Sequence, residues 1–317
     1  MEISEKPITL EEQVKMMKKY VVFIQYKRMR KFLNYTGYFR ASRYGKFLLS
    51  KVGIVGAKQK QDVLFELYSL DVELRRILNY YCNRAEIRFK SAISNACAIK
   101  IDNSTFYLEK EFYTPSRGAK DAAKRKRNKS YFDTTLFVDI VNKESDLRKN
   151  MRKYPELREY RRGGTRQENK LPVWVAFSYF EMGTVMNIYN YLRGDLRKTI
   201  LEYSFNKKSY SKKDTEVVDT WLDAVRNLRN YCAHNSMIID LKSSVVLYDQ
   251  NDEPGLLKAD NDLFSRIYAL KKLIPIEDID NMKKDLKKII NGTSIEIYLL
   301  GIFPENWEEI YDNIEIF

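Results

Sequence analysis

Apolar residues return every three or four positions along most of this chain, the period of an α-helix with one buried face. The clearest run is 63–98, which holds no Gly or Pro and sets Val63, Leu67, Leu70, Leu74, Ile77, Leu78 and Tyr81 at helical spacing. It predicts one long amphipathic helix, or two joined by a kink. Thr9-Leu-Glu-Glu12 has the form of a capping box, with Thr at the N-cap and Glu three residues on, and opens a helix to about Tyr20. A short helix is expected over 26–34. Pro172 opens another over 173–191, and Gly194 marks its end. A further helix begins near Asp214. It carries Val217, Val218, Trp221, Leu222, Val225 and Leu228 on one face and runs into Arg229-Asn-Tyr-Cys-Ala-His234. Two shorter helices follow, near 260–273 and 276–291. Residues 51–61 read as a loop, 244–248 as a short strand, and Gly301-Ile-Phe-Pro-Glu-Asn-Trp307 as a turn with an apolar anchor. The pattern is that of an all-α protein with few or no strands.

Composition adds limits. At 317 residues, 44% hydrophobic and 31% charged, the chain reads as globular and buries enough surface to need no disulfide or metal staple. No stretch approaches the 18 or so uncharged apolar residues of a membrane span. The start, Met1 to Gln13, lacks the apolar core of a secretory signal. The three cysteines (Cys82, Cys97, Cys232) are widely spaced with no C-x-x-C pair, so no zinc site or disulfide framework is expected. Free thiols suit a reducing cytoplasm, the expected location.

The net charge of +13 is unevenly spread. Residues 1–60 carry a net +10, 117–170 a net +9, and 236–317 a net −7. The expected organisation is a basic N-terminal helical segment (1–60), a helical core (61–240) with a basic insertion (117–170), and an acidic C-terminal helical segment (241–317) packed on the core. Basic zones of this size favour a polyanion, RNA or DNA, through phosphate contacts and counterion release. A merely solvated surface is the plainer alternative. No helix-turn-helix pattern is evident, which disfavours DNA. No glycine-rich phosphate loop occurs either.

The chain has one histidine, His234. Multi-histidine metal sites are therefore excluded, and imidazole acid–base chemistry within one chain has a single candidate. Arg229 lies five residues before it. A neutral imidazole can take a proton from a ribose hydroxyl, and a guanidinium can hold a phosphate and stabilise the charge that grows in the transition state. On an ideal helix the two side chains point about 140° apart. They meet on one substrate if the helix ends between them, or if two copies face each other across a dimer. The structural alternative is a helix-terminal histidine on carbonyls and an arginine in an ion pair.

Leu228-Arg-Asn-Tyr-Cys-Ala-His234 resembles the Arg-Asn-x-x-x-His motif of HEPN ribonucleases, and looks most like the abortive-infection (AbiD/AbiF-like) family of bacterial phage-defence proteins. Other segments resemble that family in order. They are Lys6-Pro-Ile-Thr-Leu-Glu-Glu-Gln13, Tyr35-Thr-Gly-Tyr-Phe-Arg-Ala-Ser-Arg-Tyr44, Leu171-Pro-Val-Trp-Val175 with Gly183-Thr184, and Gly301-Ile-Phe-Pro304 with Trp307. Glu73-Leu-Arg75 and Glu86-Ile-Arg88 match its long-helix pattern. The resemblance implies a HEPN-type helical bundle and a metal-independent endoribonuclease without cofactor, leaving a 2′,3′-cyclic phosphate. It implies a toxin-like role in the cytoplasm, with the active site formed from two motifs of a homodimer. It carries catalysis onto Arg229 and His234 with Asn230 as a polar helper. Some relatives are associated with a small structured RNA, so a catalytically silent RNA-binding scaffold is the alternative. Where family members often have a second histidine, this chain has Asn235, which makes the partner's His234 the candidate second proton carrier.

Elsewhere, Arg40, Arg43 and Tyr44, in an aromatic and basic stretch with Tyr35, Tyr38 and Phe39, suit base stacking and phosphate contacts, although half of such aromatics pack in cores. Lys124, Arg125, Lys126 and Arg127 read as an exposed loop that contacts RNA electrostatically. Glu86 and Arg88 read as part of a buried ion-pair network. Tyr107, Tyr113, Trp174 and Trp307 are assigned to packing.

Overall fold

Thr9 caps the first helix as the capping box predicts. Its hydroxyl accepts from the Glu12 N–H at 3.2 Å, while the Glu12 carboxylate accepts from the Thr9 N–H at 2.6 Å. These bonds hold the Glu12 carboxyl below its ordinary range. The structure, a computed structural model, describes residues 7–115, 121–150, 152–161, 170–205, 209–247 and 257–316. Its α-helices are α1 (Leu10–Met17), α2 (Tyr26–Thr36), α3 (Tyr38–Ser50), α4 (Val52–Val55), α5 (Gln61–Ile101), α6 (Ala122–Tyr131), α7 (Phe137–Lys149), α8 (Arg158–Arg161), α9 (Val173–Tyr179), α10 (Met182–Tyr191), α11 (Gly194–Ser204), α12 (Lys212–Ala233), α13 (Leu263–Leu273), α14 (Ile276–Asn291) and α15 (Trp307–Asn313). Among the described residues there is no strand, only two isolated bridges, Val22 with Lys60 and Tyr113 with Leu192. The protein is all-α. No described helix is long and apolar enough to cross a membrane.

The chain forms two compact units. The first comprises Met1–Cys82, Asn227–Lys271 and Ile276–Glu315, and the second Asn83–Arg226, Lys272–Pro275 and Ile316–Phe317. The basic first sixty residues and nearly all of the acidic C-terminal segment thus belong to one unit. The α5 run is a single helix of 41 residues, about 60 Å long, without the alternative kink. In the first unit its buried face is Leu64, Leu67, Leu70, Leu74, Leu78 and Tyr81. There α3 comes so close to Tyr20 that a Cβ on Gly45 would lie 2.7 Å from the Tyr20 Cβ. Between α2 and α3, Gly37 takes a φ of 74°, a conformation open to glycine without strain. Trp307 and Phe303 are buried as the anchor of the 301–307 turn.

In the second unit the expected helix over 173–191 is broken in two. Phe180 and Glu181 are extended, and the Phe180 carbonyl that leaves the helical ladder accepts from Lys90 Nζ at 2.6 Å. Gly194 begins α11 instead of ending a helix. The chain stops being helical at Leu192 because 191–193 pairs with 112–114, through Thr114 N–H to the Tyr191 carbonyl (2.7 Å) and Arg193 N–H to the Phe112 carbonyl (3.0 Å). Glu86 pairs with Lys90 at 2.7 Å. Arg88 donates to the carbonyls of Ser204, Leu273 and Ile274. Tyr107 and Tyr113 are buried as expected, but Trp174 is half exposed. Residues 51–61 contain the short α4, closed by left-handed Gly56. The strand expected at 244–248 does not form over its described part: 243 and 247 bond to the carbonyls of 261 and 260, with no second strand to pair with. The flexible point that Gly163-Gly164 suggests and the turn that Pro254-Gly255 suggests lie outside the described residues.

Candidate active site at the end of α12

Six apolar residues of α12, Val217, Val218, Trp221, Leu222, Val225 and Leu228, are buried on one face, as its spacing predicts. The tail of the helix, from Asn227, belongs to the first unit. Its end is a Schellman closure. The His234 N–H still donates to the Asn230 carbonyl (3.0 Å), Asn235 N–H reaches Cys232 (3.2 Å) and Ser236 N–H reaches Tyr231 (2.8 Å). Asn235 supplies the left-handed turn with a φ of 53°. Helical geometry therefore persists up to the His234 N–H. His234 and Asn230, four apart, share an exposed face, while Arg229 is half-buried and starts from another side of the helix. The helix does not end early enough to let Arg229 and His234 converge.

Beneath this exposed tip lies a polar network that sequence reasoning missed. Asp71, fully buried on α5, accepts from the Tyr44 hydroxyl (2.7 Å) and from Arg75 Nε (2.8 Å) on one oxygen. Its other oxygen accepts from the N–H groups of Ile238 (2.8 Å) and Ile239 (3.1 Å). Arg75 then donates through Nη1 to Asn235 Oδ1 at 2.8 Å. Burial and the adjacent Asp71 charge push the Tyr44 hydroxyl far up, so it stays a donor. Burial opposes the Arg75 charge, but Asp71, together with Tyr44 and Tyr68, more than offsets it. The signal was present: an Asp and an Arg four apart inside the apolar stripe Leu67, Leu70, Leu74, Leu78. On another flank, fully buried Arg266 of α13 donates through Nε to Asn227 Oδ1 at 3.3 Å and through Nη2 to the Val245 carbonyl. Two buried arginines thus brace the last turns of α12. Between Asn230 and His234, burial pushes the Cys232 thiol up to about 12. It is an inert packing group.

The motif residues fall within one well-defined match. A family model described as Abi-like protein matches residues 31–240, from α2 through the Arg229–His234 tip. The chain belongs to the Abi-like protein family. Membership supports a role in abortive infection. No curated protein and no solved structure matches the chain.

The other expected contact residues of this Abi-like protein lie on α3 and α6. Arg43 is exposed and Arg40 half-buried on α3. Tyr44 corrects the expectation: it is 0% exposed and offers no face to a base. Lys124, Arg125, Lys126 and Arg127 are exposed as expected, but on a helix. That helix, α6, is capped by Asp121, whose carboxylate accepts from the Lys124 N–H at 2.6 Å, and it buries none of its residues. Among the described residues no group of three or more His, Cys, Asp or Glu is placed to hold a metal ion.

Proposed function

We propose that this Abi-like protein is an endoribonuclease of bacterial phage defence, acting in the cytoplasm as a homodimer and bound to or regulated by RNA. The observation that carries the reading is the exposed His234 at the end of a helix whose last turns are braced by two buried arginines, with Asn230 on the same face. In the reaction, an imidazole takes the proton of a ribose 2′-hydroxyl, and the oxygen attacks the adjacent phosphorus. The bond from phosphorus to the 5′-oxygen breaks, leaving a 2′,3′-cyclic phosphate, and a second imidazole protonates the departing oxygen. Arg229 stabilises the charge on the phosphoryl oxygens, and Asn230 orients the phosphate. One chain supplies one imidazole, so the acid and the base come from His234 of two copies across a two-fold axis.

The test is cleavage of RNA by purified protein, with and without EDTA. Wild type is expected to cleave in both conditions, and His234→Ala and Arg229→Ala to leave the RNA intact while remaining folded. Cleavage by His234→Ala at the wild-type rate would sink the reading. Tight RNA binding without cleavage by the wild type would favour the silent scaffold instead.

A further inference from the structure

Among the described residues, the two most exposed rings of the first unit flank the α2–α3 corner in sequence. Tyr35 is 78% and Phe39 77% exposed. They are four residues apart around Gly37, which limits their Cα separation to about 14 Å. Among the described residues, neither packs on another ring or under a cation. Their exposure is not for want of a core, since the opposite faces of the same helices bury Met29, Leu33, Ala41, Tyr44, Phe47 and Leu48. Two such rings on a water-facing surface lose apolar contact that inward rotation would supply.

The charge around them is of one sign. No carboxylate occurs between Glu12 and Asp62. Arg28 and Arg30 are neutralised by Asp62 (2.6 Å) and Glu11 (3.4 Å). Lys27 and Lys31 lead to Tyr35 in steps of four along α2, and Arg43 and Lys46 follow Phe39 in steps of four and three along α3, so each trio shares a helix face. All four cations are exposed and make no ion pair among the described residues. The order is cation, cation, ring, glycine corner, ring, cation, cation.

We propose that this corner is a docking face for single-stranded RNA, with Tyr35 and Phe39 stacking unpaired bases and Lys27, Lys31, Arg43 and Lys46 holding the phosphates on either side. Ring faces accept bases that are not already stacked in a duplex, which selects the single strand. A second copy of this corner would match the rings but be repelled by their acid-free border of cations. The choice of RNA over DNA rests on the ribonuclease reading, whereas the stacking face does not.

The experiment is fluorescence anisotropy with a labelled twelve-residue oligouridine, the matching oligodeoxythymidine and an RNA duplex of equal length, in the His234→Ala background so that nothing is cleaved. Tyr35→Ala with Phe39→Ala is expected to weaken oligouridine binding by roughly tenfold per ring, to leave duplex binding unchanged, and to keep the salt slope. Arg43→Ala with Lys46→Ala is expected to reduce that slope by about 1.4. Both pairs are exposed, so circular dichroism should show intact folds. Oligouridine affinity unchanged by loss of the two rings overturns the proposal. So does a ring variant that dissociates in sedimentation while binding RNA normally, which would make the corner a protein interface. A wild-type chain that binds oligouridine through the rings but cleaves no RNA removes the ribonuclease reading and leaves the docking face standing. Equal affinity for oligodeoxythymidine overturns the choice of RNA.

Discussion

Asn235 holds a φ of 53° while carrying a Cβ, a conformation that costs an ordinary side chain about 1–2 kcal/mol. Asparagine tolerates it better, and here its amide oxygen is also the acceptor for Arg75. Asn235→Gly should keep the turn and lose the acceptor, whereas Asn235→Ala loses both. Urea melts are expected to rank wild type above Gly and Gly above Ala, the last by about 2 kcal/mol in total. Arg75→Met strands the Asp71 charge and should cost about 3–5 kcal/mol. Cys232 offers a local readout of the same brace. In the native protein it should resist iodoacetamide at pH 8, and Arg75→Met should speed its labelling; equal rates would show that Arg75 does not hold the helix end. The buried thiols of Cys97 and Cys232, both pushed up to about 12 by burial, also set a pH dependence. An acid whose folded pKa is raised ionises first in the unfolded chain, so stability should fall as pH rises from about 9 towards 12, by about 1.4 kcal/mol per pH unit for each thiol. At this scale residue type and spacing single out Arg229 and His234 as candidates, and the structure puts His234 on an exposed helix end. The inward turn of Tyr44 was not, because an aromatic stretch looks the same whichever ring faces the core. Gly45, needed where α3 meets Tyr20, was the available hint.

Helical periodicity located α5 and α12 because each buries one continuous stripe. It failed at 180–181, where the local sequence is helical in character but the Phe180 carbonyl is claimed from outside by Lys90; the end at Tyr191 falls where it was read, but it is made by the pairing of 191–193 with 112–114 and not by Gly194. Such breaks are tertiary and leave no local signal. The basic run of α6 shows the opposite case: polar enough to read as a loop, it becomes a helix through the Asp121 cap. Because α6 buries nothing, replacing Lys124, Arg125, Lys126 and Arg127 together by Ala should leave urea stability unchanged. If these residues touch phosphates, the salt slope of RNA binding should fall by a few units at most. An unaltered slope would remove this helix from the RNA contact.

For the whole molecule, the proposed two-histidine site makes activity a property of pairs of chains. Mixing His234→Ala with wild-type chains should give heterodimers well below half the wild-type rate, since each site needs both imidazoles. An active monomer in light scattering would eliminate that arrangement. The helical class was legible from sequence, and so were the basic zones. The assignment of the N-terminal basic segment and the acidic C-terminal residues to one unit was not, since it depends on long-range contacts. One feature of that unit links its two proposed surfaces. Helix α3 turns Phe39 outward and Tyr44 inward, and Tyr44 shares the Asp71 carboxylate with Arg75 and with the chain just past His234. Asp71 is therefore a fulcrum. On the proposed readings, a strand that tilts α3 as it docks loads the bond to the same carboxylate that holds the backbone of Ile238 and Ile239 beyond His234, so the outer face and the proposed site share one buried hinge.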